Sequence, residues 1–422
     1  MIKKIRLMNW KSFEDATLNI DPITLLIGAN ASGKSNALDA FLFLNRVSSG
    51  AGLFQSITGD LKMTPLRGGR DWVCRKPFDN FTLEVLLGSP QENQDYRYQL
   101  TVHVNATKAE VVEESLTRLT YVKKNSQSRE DDLFHARNEG NSPSISVYYR
   151  TGDKGRSRRL DLNPSFSVLT QIESTKIRKD ILEGAKLVQN DFMHIFVFDP
   201  IPSHMRAYTS LSDTFNPDGS NIAGVLAGLE EGRRNEVEIE LSRYLKKIPE
   251  RDIQRVWAET VNRFQTDAML YCEEGWEGNP AHVVDARGMS DGTLRFLAIV
   301  TALLTRDPGS LLVIEEVDNG LHPSRAGILI EMLNQLGRER RVDVVLTTHN
   351  PALLDAAGVS MIPFITVAHR NGKTGASQLT LLEDVHQLPK LMSSGSIGSM
   401  STDGLIEAAL EDSGMEEESG RG

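Results

Sequence analysis

The chain predicts an α/β fold with a parallel core sheet, an antiparallel β subdomain and a helical insertion. Three patterns carry that prediction. First, a short apolar run, Ile23–Ile27, meets a glycine-rich loop and then an amphipathic stretch over residues 35–44, whose Ala37, Leu38, Phe41 and Leu44 share one face. Second, beyond Gly288 short buried-strand runs alternate with helical ones, as helices covering a parallel sheet require. Third, residues 81–162 are mainly extended, with runs at 81–87, 96–104 and 144–149 parted by polar clusters at 125–132 and 139–142.

The remaining elements follow in order. Ile2–Met8 and residues 16–20 have strand character around a polar turn, and residues 193–198 form a strand stopped by Asp199-Pro200-Ile201-Pro202. Residues 221–267 read as helical, with a basic concentration at Arg233, Arg234, Arg243, Lys246, Lys247 and Arg251. After Gly288 come a capped apolar helix (290–305), a strand (310–314), an amphipathic helix (324–336), a strand (342–346), a helix start (351–356) and a strand (361–368). The end of the chain is Ser/Gly-rich and then acidic through Glu416, Glu417 and Glu418, a composition expected to stay disordered.

Bulk properties narrow the class. With 422 residues the chain exceeds one simple core. Its net charge of −10 does not suit a general polyanion binder, although a local basic stripe, at residues 150–159 or 233–251, leaves DNA open as a partner. The only cysteines, Cys74 and Cys272, are far apart and belong to no zinc or disulfide pattern, so buried, idle thiols are expected. The charged N-terminus lacks an apolar stretch typical of a signal peptide, and the apolar run at 296–304 is too short to span a bilayer. The expectation is a cytoplasmic protein with no membrane partner.

Gly28-Ala29-Asn30-Ala31-Ser32-Gly33-Lys34-Ser35, followed by Asn36, fits the phosphate-loop pattern G-x-x-x-x-G-K-[ST]. Glycines let successive N–H groups turn toward an anion, Lys34 supplies a point charge to the terminal phosphates, and the Ser35 hydroxyl suits Mg²⁺. Downstream, residues 311–314 end in Glu315 and Glu316, which places two carboxylates where a buried strand leaves the sheet. Glu315 is then the candidate metal ligand and Glu316 the candidate base that polarises water. Strands also end in solvated acids for no functional reason. His349, just beyond a second buried strand, can sense a phosphate or simply be solvated. Ser290 and Gly292 open a helix and could present N–H groups to a second phosphate, or form a plain N-cap.

Taken in order, ITLLIGANASGKSN, MSDGTLRFLAI, LLVIEEVDNGLHP and VVLTTHNP resemble the ABC-type ATPase heads of the RecF/SMC family, within the P-loop NTPases. The resemblance implies ATP and Mg²⁺ as ligands and hydrolysis to ADP and phosphate. It also implies a homodimer that sandwiches two ATP molecules, in which Ser290 and Gly292 cap the nucleotide held by the partner's loop. Lys34, Glu316 and His349 would then serve catalysis, Ser35 and Glu315 the metal, and Asp318 a loop crossing to the partner. Lys11 and Ser12 match the family's early turn beside the nucleotide, while the family's Q-loop glutamine has no counterpart.

Long coiled coils, a zinc hook and a nuclease module are missing from the pattern, so the chain looks like the stand-alone ATPases of this superfamily. These often act with a separately encoded effector, frequently in anti-phage defence. The expected division is a first ATPase lobe with the β subdomain (1–165), a helical insertion (166–287), a second lobe (288–385) and a disordered tail (386–422). A RecF-like DNA-repair ATPase is the alternative, with a transporter subunit further behind.

Overall fold

The computed structural model describes residues 1–89, 91, 93–121, 128–138, 143–150, 157–172, 177–247, 253–275, 280–393 and 395–410. Of the expected polar clusters, residues 125–127 of the one at 125–132 and all of 139–142 lie outside them, as do basic residues within 151–156, Arg251 and the acidic tail; residues 128–132 are strand rather than a break. The chain divides into two compact units, one of residues 1–195 with 366–381, the other of residues 196–365 with 382–422.

In the first unit an eight-stranded sheet runs Asp15–Asn19, Ile2–Met8, Asn80–Gly88, Gln94–Val104, Ala109–Tyr121, Ser128–Arg137, Ile145–Arg150 and Ser157–Leu162, antiparallel throughout. Strand alternation sends Phe81, Leu83, Val85 and Leu87 to the core side. Helices Lys34–Ser48 and Lys179–Met193 pack against each other. Trp10, Phe43 and Phe81 form an aromatic cluster with centroids 4.8–5.8 Å apart, which anchors the early turn to the first helix. The strand Ile23–Ile27 is buried along its whole length and neighbours Ile365–Arg370, which pairs antiparallel with Ser377–Leu381.

In the second unit Ile195–Phe198, Leu311–Ile314 and Asp343–Thr347 lie side by side. The last two are parallel, from Leu311 opposite Asp343 to Ile314 opposite Leu346, and buried on both faces. Helix Asp291–Thr305 is buried on nearly every face, while helix Ala326–Arg340 keeps one polar side.

The helical expectation for residues 221–267 holds for Ile222–Gly228 and Glu231–Leu245 and fails beyond them. Ile253–Val261 and Asp267–Glu274 are instead antiparallel strands, joined by Thr209–Ser210 and His282–Asp285. Ile253, Val256 and Ala258 bury on one side, and Trp257 stacks on Tyr271 across the pair at 5.8 Å. These β-branched and aromatic contacts outweigh the charged, helix-like composition. The insertion therefore mixes helices with a sheet.

The segment expected to be disordered from residue 386 carries helices Leu388–Met392 and Ile397–Thr402, with Ile397 and Met400 buried and Gly398 N–H donating to Asp355 Oδ1 at 2.7 Å. Cys74 and Cys272 are both buried and not joined in a disulfide, and burial pushes the Cys74 thiol up to about 12. No helix among the described residues is long and apolar enough to cross a membrane.

One buried acid ties the β subdomain together. Glu114 accepts from Tyr98 Oη (3.1 Å), Ser167 Oγ (2.7 Å) and the N–H groups of Val168 (2.8 Å) and Leu169 (3.2 Å), fastening the start of helix Val168–Ile172 to the sheet. Burial outweighs these four donors and raises its carboxyl from 4.5 to about 7. Folding therefore favours the protonated acid. Its contribution is complete below the unfolded value and is lost as pH rises through the folded one, a difference of roughly 3 kcal/mol. The thermal midpoint should accordingly fall between about pH 5 and about pH 8. Glu114→Gln, which cannot ionise, should flatten that slope; an undiminished slope would assign it to another group.

Candidate functional site

The phosphate-loop pattern of the first unit is built by the backbone. Where Ile23–Ile27 ends, Gly28 has φ +135°, and a Cβ there would stand 2.1 Å from the carbonyl oxygen of Ala368. Ala31 is also left-handed (φ 64°), and at Gly33 (φ +117°) a Cβ would meet Ser377 Oγ at 2.5 Å and the Phe13 ring at 3.1 Å. Turns of this kind point N–H groups into one concavity. Helix Lys34–Ser48 follows directly, with no side-chain cap and no acid in its first turn. Its leading N–H groups have no intrahelical acceptor, and the positive end of its dipole lies there.

Lys34 Nζ lies over the loop, donating to the carbonyls of Gly28 (2.6 Å) and Ala29 (3.0 Å). Ser32 is 3% exposed, and its Oγ has no partner among the described residues. A cradle closed to side chains, a cation at its mouth and an orphaned hydroxyl in its wall fit a polyphosphate. Ala29, Asn30 and Ala31 are exposed, and Ser35 and Asn36 occupy the helix's first turn.

Asn36 Nδ2 donates to Ser12 Oγ at 2.8 Å, as Ser377 Oγ does at the same distance. Lys11 makes a buried ion pair with Asp39 and donates to Arg67 O at 2.7 Å; Arg67 Nη2 donates to Asp39 Oδ1 at 2.7 Å and Ser35 O at 3.1 Å. Beside them opens a cavity of about 450 Å³ lined by Lys11, Asn36, Arg67, Trp72, Arg75 and Arg370 among others. Arg370 Nε also braces the loop by donating to Ala31 O at 2.9 Å. Sequence reasoning missed Arg67, Trp72, Arg75 and Arg370, which no motif joins.

The second unit assembles the acid pair. Leu311–Ile314 delivers Glu315, whose N–H donates to Phe198 O at 3.2 Å. Glu316 is left-handed (φ 46°), an uncommon setting for a residue with a side chain, and its N–H donates to Thr347 Oγ1 at 2.8 Å. Val317 N–H then donates to Thr347 O at 3.1 Å. Asp199, read from sequence only as a strand stop, contributes a third carboxylate. Burial raises its pKa, Arg295 opposes the rise, and Glu315 and Glu316 add to it.

Ser290, an exposed residue, caps helix Asp291–Thr305, its Oγ accepting from Thr293 N–H at 3.1 Å. Arg206 grips the turn before it, donating to the carbonyls of Ala286 (3.0 Å), Arg287 (2.9 Å) and Met289 (2.8 Å) and pairing with Asp291 at 2.5 Å. At Gly292 a Cβ would come within 2.8 Å of Gly320 O and 3.2 Å of Arg325 Nη1. The helix start thus packs directly on the turn that follows the acid pair. Asp318 in that turn is buried, and its Oδ1 has no partner among the described residues. His349 is exposed just beyond Asp343–Thr347, and Asn350 caps the next helix by accepting from Ala352 N–H at 2.9 Å.

Among the described residues no three His, Cys, Asp or Glu side chains gather as a metal cage. Mg²⁺ held by one or two protein oxygens with phosphate and water needs no such cage.

Residues 23–355 match the family model described as "AAA domain, putative AbiEii toxin, Type IV TA system". No curated protein matches the sequence. Among solved structures, the chain is similar to an SmcHead bound to the C-winged helix domain of ScpA, at 12% identity and TM-score 0.47, over 90% of this chain and 96% of that one. It is similar to the SMC head domain from Thermotoga maritima, at 14% identity and TM-score 0.40, over 90% and 98%. It is also similar to the Smc head domain with an extended coiled coil, bound to the C-terminal domain of ScpA, from Pyrococcus furiosus, at 12% identity and TM-score 0.46, over 93% and 99%.

The steric closure of the loop is testable apart from any ligand. Gly28 and Gly50 both have positive φ, but only at Gly28 does a Cβ meet backbone; at Gly50 nothing lies within 4 Å. Gly28→Ala should therefore destabilise the fold by about 1–3 kcal/mol of overpacking, and so lower the thermal midpoint clearly more than Gly50→Ala. Equal losses would mean that the loop moves aside freely.

Proposed function

The chain belongs to the family of AAA domains that its residues 23–355 match, and from that premise we propose that it binds and hydrolyses ATP, pairing with a second copy of itself around two nucleotides. The observation that carries this reading is the cradle at Gly28–Gly33, with Lys34 over it and Ser32 Oγ orphaned in its wall. Lys34 gives its charge to the terminal phosphates, and the first N–H groups of helix Lys34–Ser48 hold their oxygens. Ser35 and Glu315 would hold Mg²⁺, which would neutralise phosphate charge. Glu316 accepts the proton of the attacking water, and His349 donates a hydrogen bond to the terminal phosphate.

Ser290, exposed, and Gly292, buried just behind it, begin a helix whose N-terminus serves the nucleotide of the other copy, so neither copy is complete alone. Closure on ATP and release after hydrolysis then act on a further partner, a separately encoded effector or DNA. The family description, which names a putative toxin of a type IV toxin–antitoxin system, favours a further protein component over DNA.

Glu316→Gln should keep ATP affinity, lose about 10²–10⁴-fold in turnover and accumulate a closed dimer in light scattering. A variant that stays monomeric with ATP and Mg²⁺ would count against the sandwich. Lys34→Ala should lose nucleotide binding in a fluorescence titration; wild-type turnover would remove its phosphate role.

A further inference from the structure

Arg295 stands five residues after Ser290 on helix Asp291–Thr305 and is 3% exposed. Such a position ordinarily takes an apolar side chain, and a guanidinium there must offset its desolvation. Its two terminal nitrogens turn to the main chain, while Nε has no partner among the described residues. Nη1 donates to Pro200 O at 2.6 Å, and Nη2 donates to Glu315 O at 3.0 Å and Glu316 O at 2.8 Å. Asp199 Oδ1, at 3.5 Å, is the only carboxylate oxygen it pairs with among the described residues. Burial lowers the pKa of Arg295, and the fields of Asp199, Asp318 and Glu316 oppose that; an arginine stays charged under either influence.

The two carbonyls it takes are those of the acid pair. Glu316 is left-handed, so its two flanking peptide planes determine where its carboxylate points. Thr347 Oγ1 holds the plane before its Cα through the N–H, and Arg295 holds the plane after it through the C=O. Arg295 also belongs to the helix opened by Ser290 and Gly292, and Gly292 packs on the carbonyl of Gly320 in the turn after the acids.

We propose that Arg295 is a positioning residue: it ties the first turns of the Ser290 helix to the backbone of Glu315 and Glu316, so that a nucleotide engaged at Ser290–Gly292 and the aim of Glu316 are coupled. The proposal rests on the reading of Glu316 as the base. Arg295 touches neither water nor phosphate in this role; it acts through Glu316. A planar fork is needed to reach carbonyls on two strands' ends at once, which a lysine does only in part.

The test measures steady-state ATP hydrolysis and nucleotide affinity for Arg295→Met, Arg295→Lys, Glu316→Gln and the Arg295→Met/Glu316→Gln double variant, each checked by circular dichroism and melting. Arg295→Met should lose about 10²-fold in kcat with KM within about threefold, and Arg295→Lys should recover about tenfold of that loss. The double variant should turn over no more slowly than Glu316→Gln alone, because one residue acts through the other. Multiplying losses, an unchanged kcat in Arg295→Met, or failure of both single Arg295 variants to fold would overturn the proposal. Wild-type turnover in Glu316→Gln would instead overturn the assignment of the base, a distinguishable result.

Discussion

A buried strand that delivers a functional residue has to turn sharply at the point where its hydrogen-bonding partners run out, and this constraint shapes both units. At Gly28 the chain passes so close to the Ala368 carbonyl that a Cβ would stand 2.1 Å away. The solution there is to dispense with the side chain. At Glu316 the same sharp turn falls on the residue proposed as the base, a role that glycine cannot fill. The left-handed backbone (φ 46°) is instead held by hydrogen bonds from both sides, to Thr347 Oγ1 and from Arg295 Nη2. Strain at such positions survives only where surrounding groups over-determine it.

The second unit shows how far this support extends. Arg206 fixes the turn before Ser290 through three carbonyls and Asp291, Gly292 lies against the turn containing Asp318 and Gly320, and Arg295 reaches the acid pair. Much of this network binds main-chain oxygen rather than side chains. It therefore places backbone, both at the acid pair and at the turn before the Ser290 helix. Asp291 has a local role in it as the partner of Arg206.

What could be read from the sequence was what is local. Residues 23–36 announce a strand, a turn and a helix within fourteen positions, and the pair Leu311–Ile314 and Asp343–Thr347 shows its burial in the apolar runs 311–314 and 344–346. The roles of Arg295, Arg206 and Asp199 were not legible, because each depends on contacts made far along the chain, as between Arg295 and Pro200. Arg67, Trp72 and Arg370 gather around one cavity for the same reason. The hairpin over residues 253–274 was hidden by a charged composition that tertiary packing overrides, and the helix Ile397–Thr402 by a Ser/Gly-rich stretch held through Asp355.

The central claim is that the cradle at Gly28–Gly33 is half of an ATP-hydrolysing site completed by a second copy of the chain. The most direct measurement is phosphate release from ATP and Mg²⁺ by the purified chain across a wide range of protein concentration. A site shared between copies predicts turnover per chain that rises with concentration and then levels off. Turnover per chain that is constant across the range, or no phosphate release at any concentration, would contradict it.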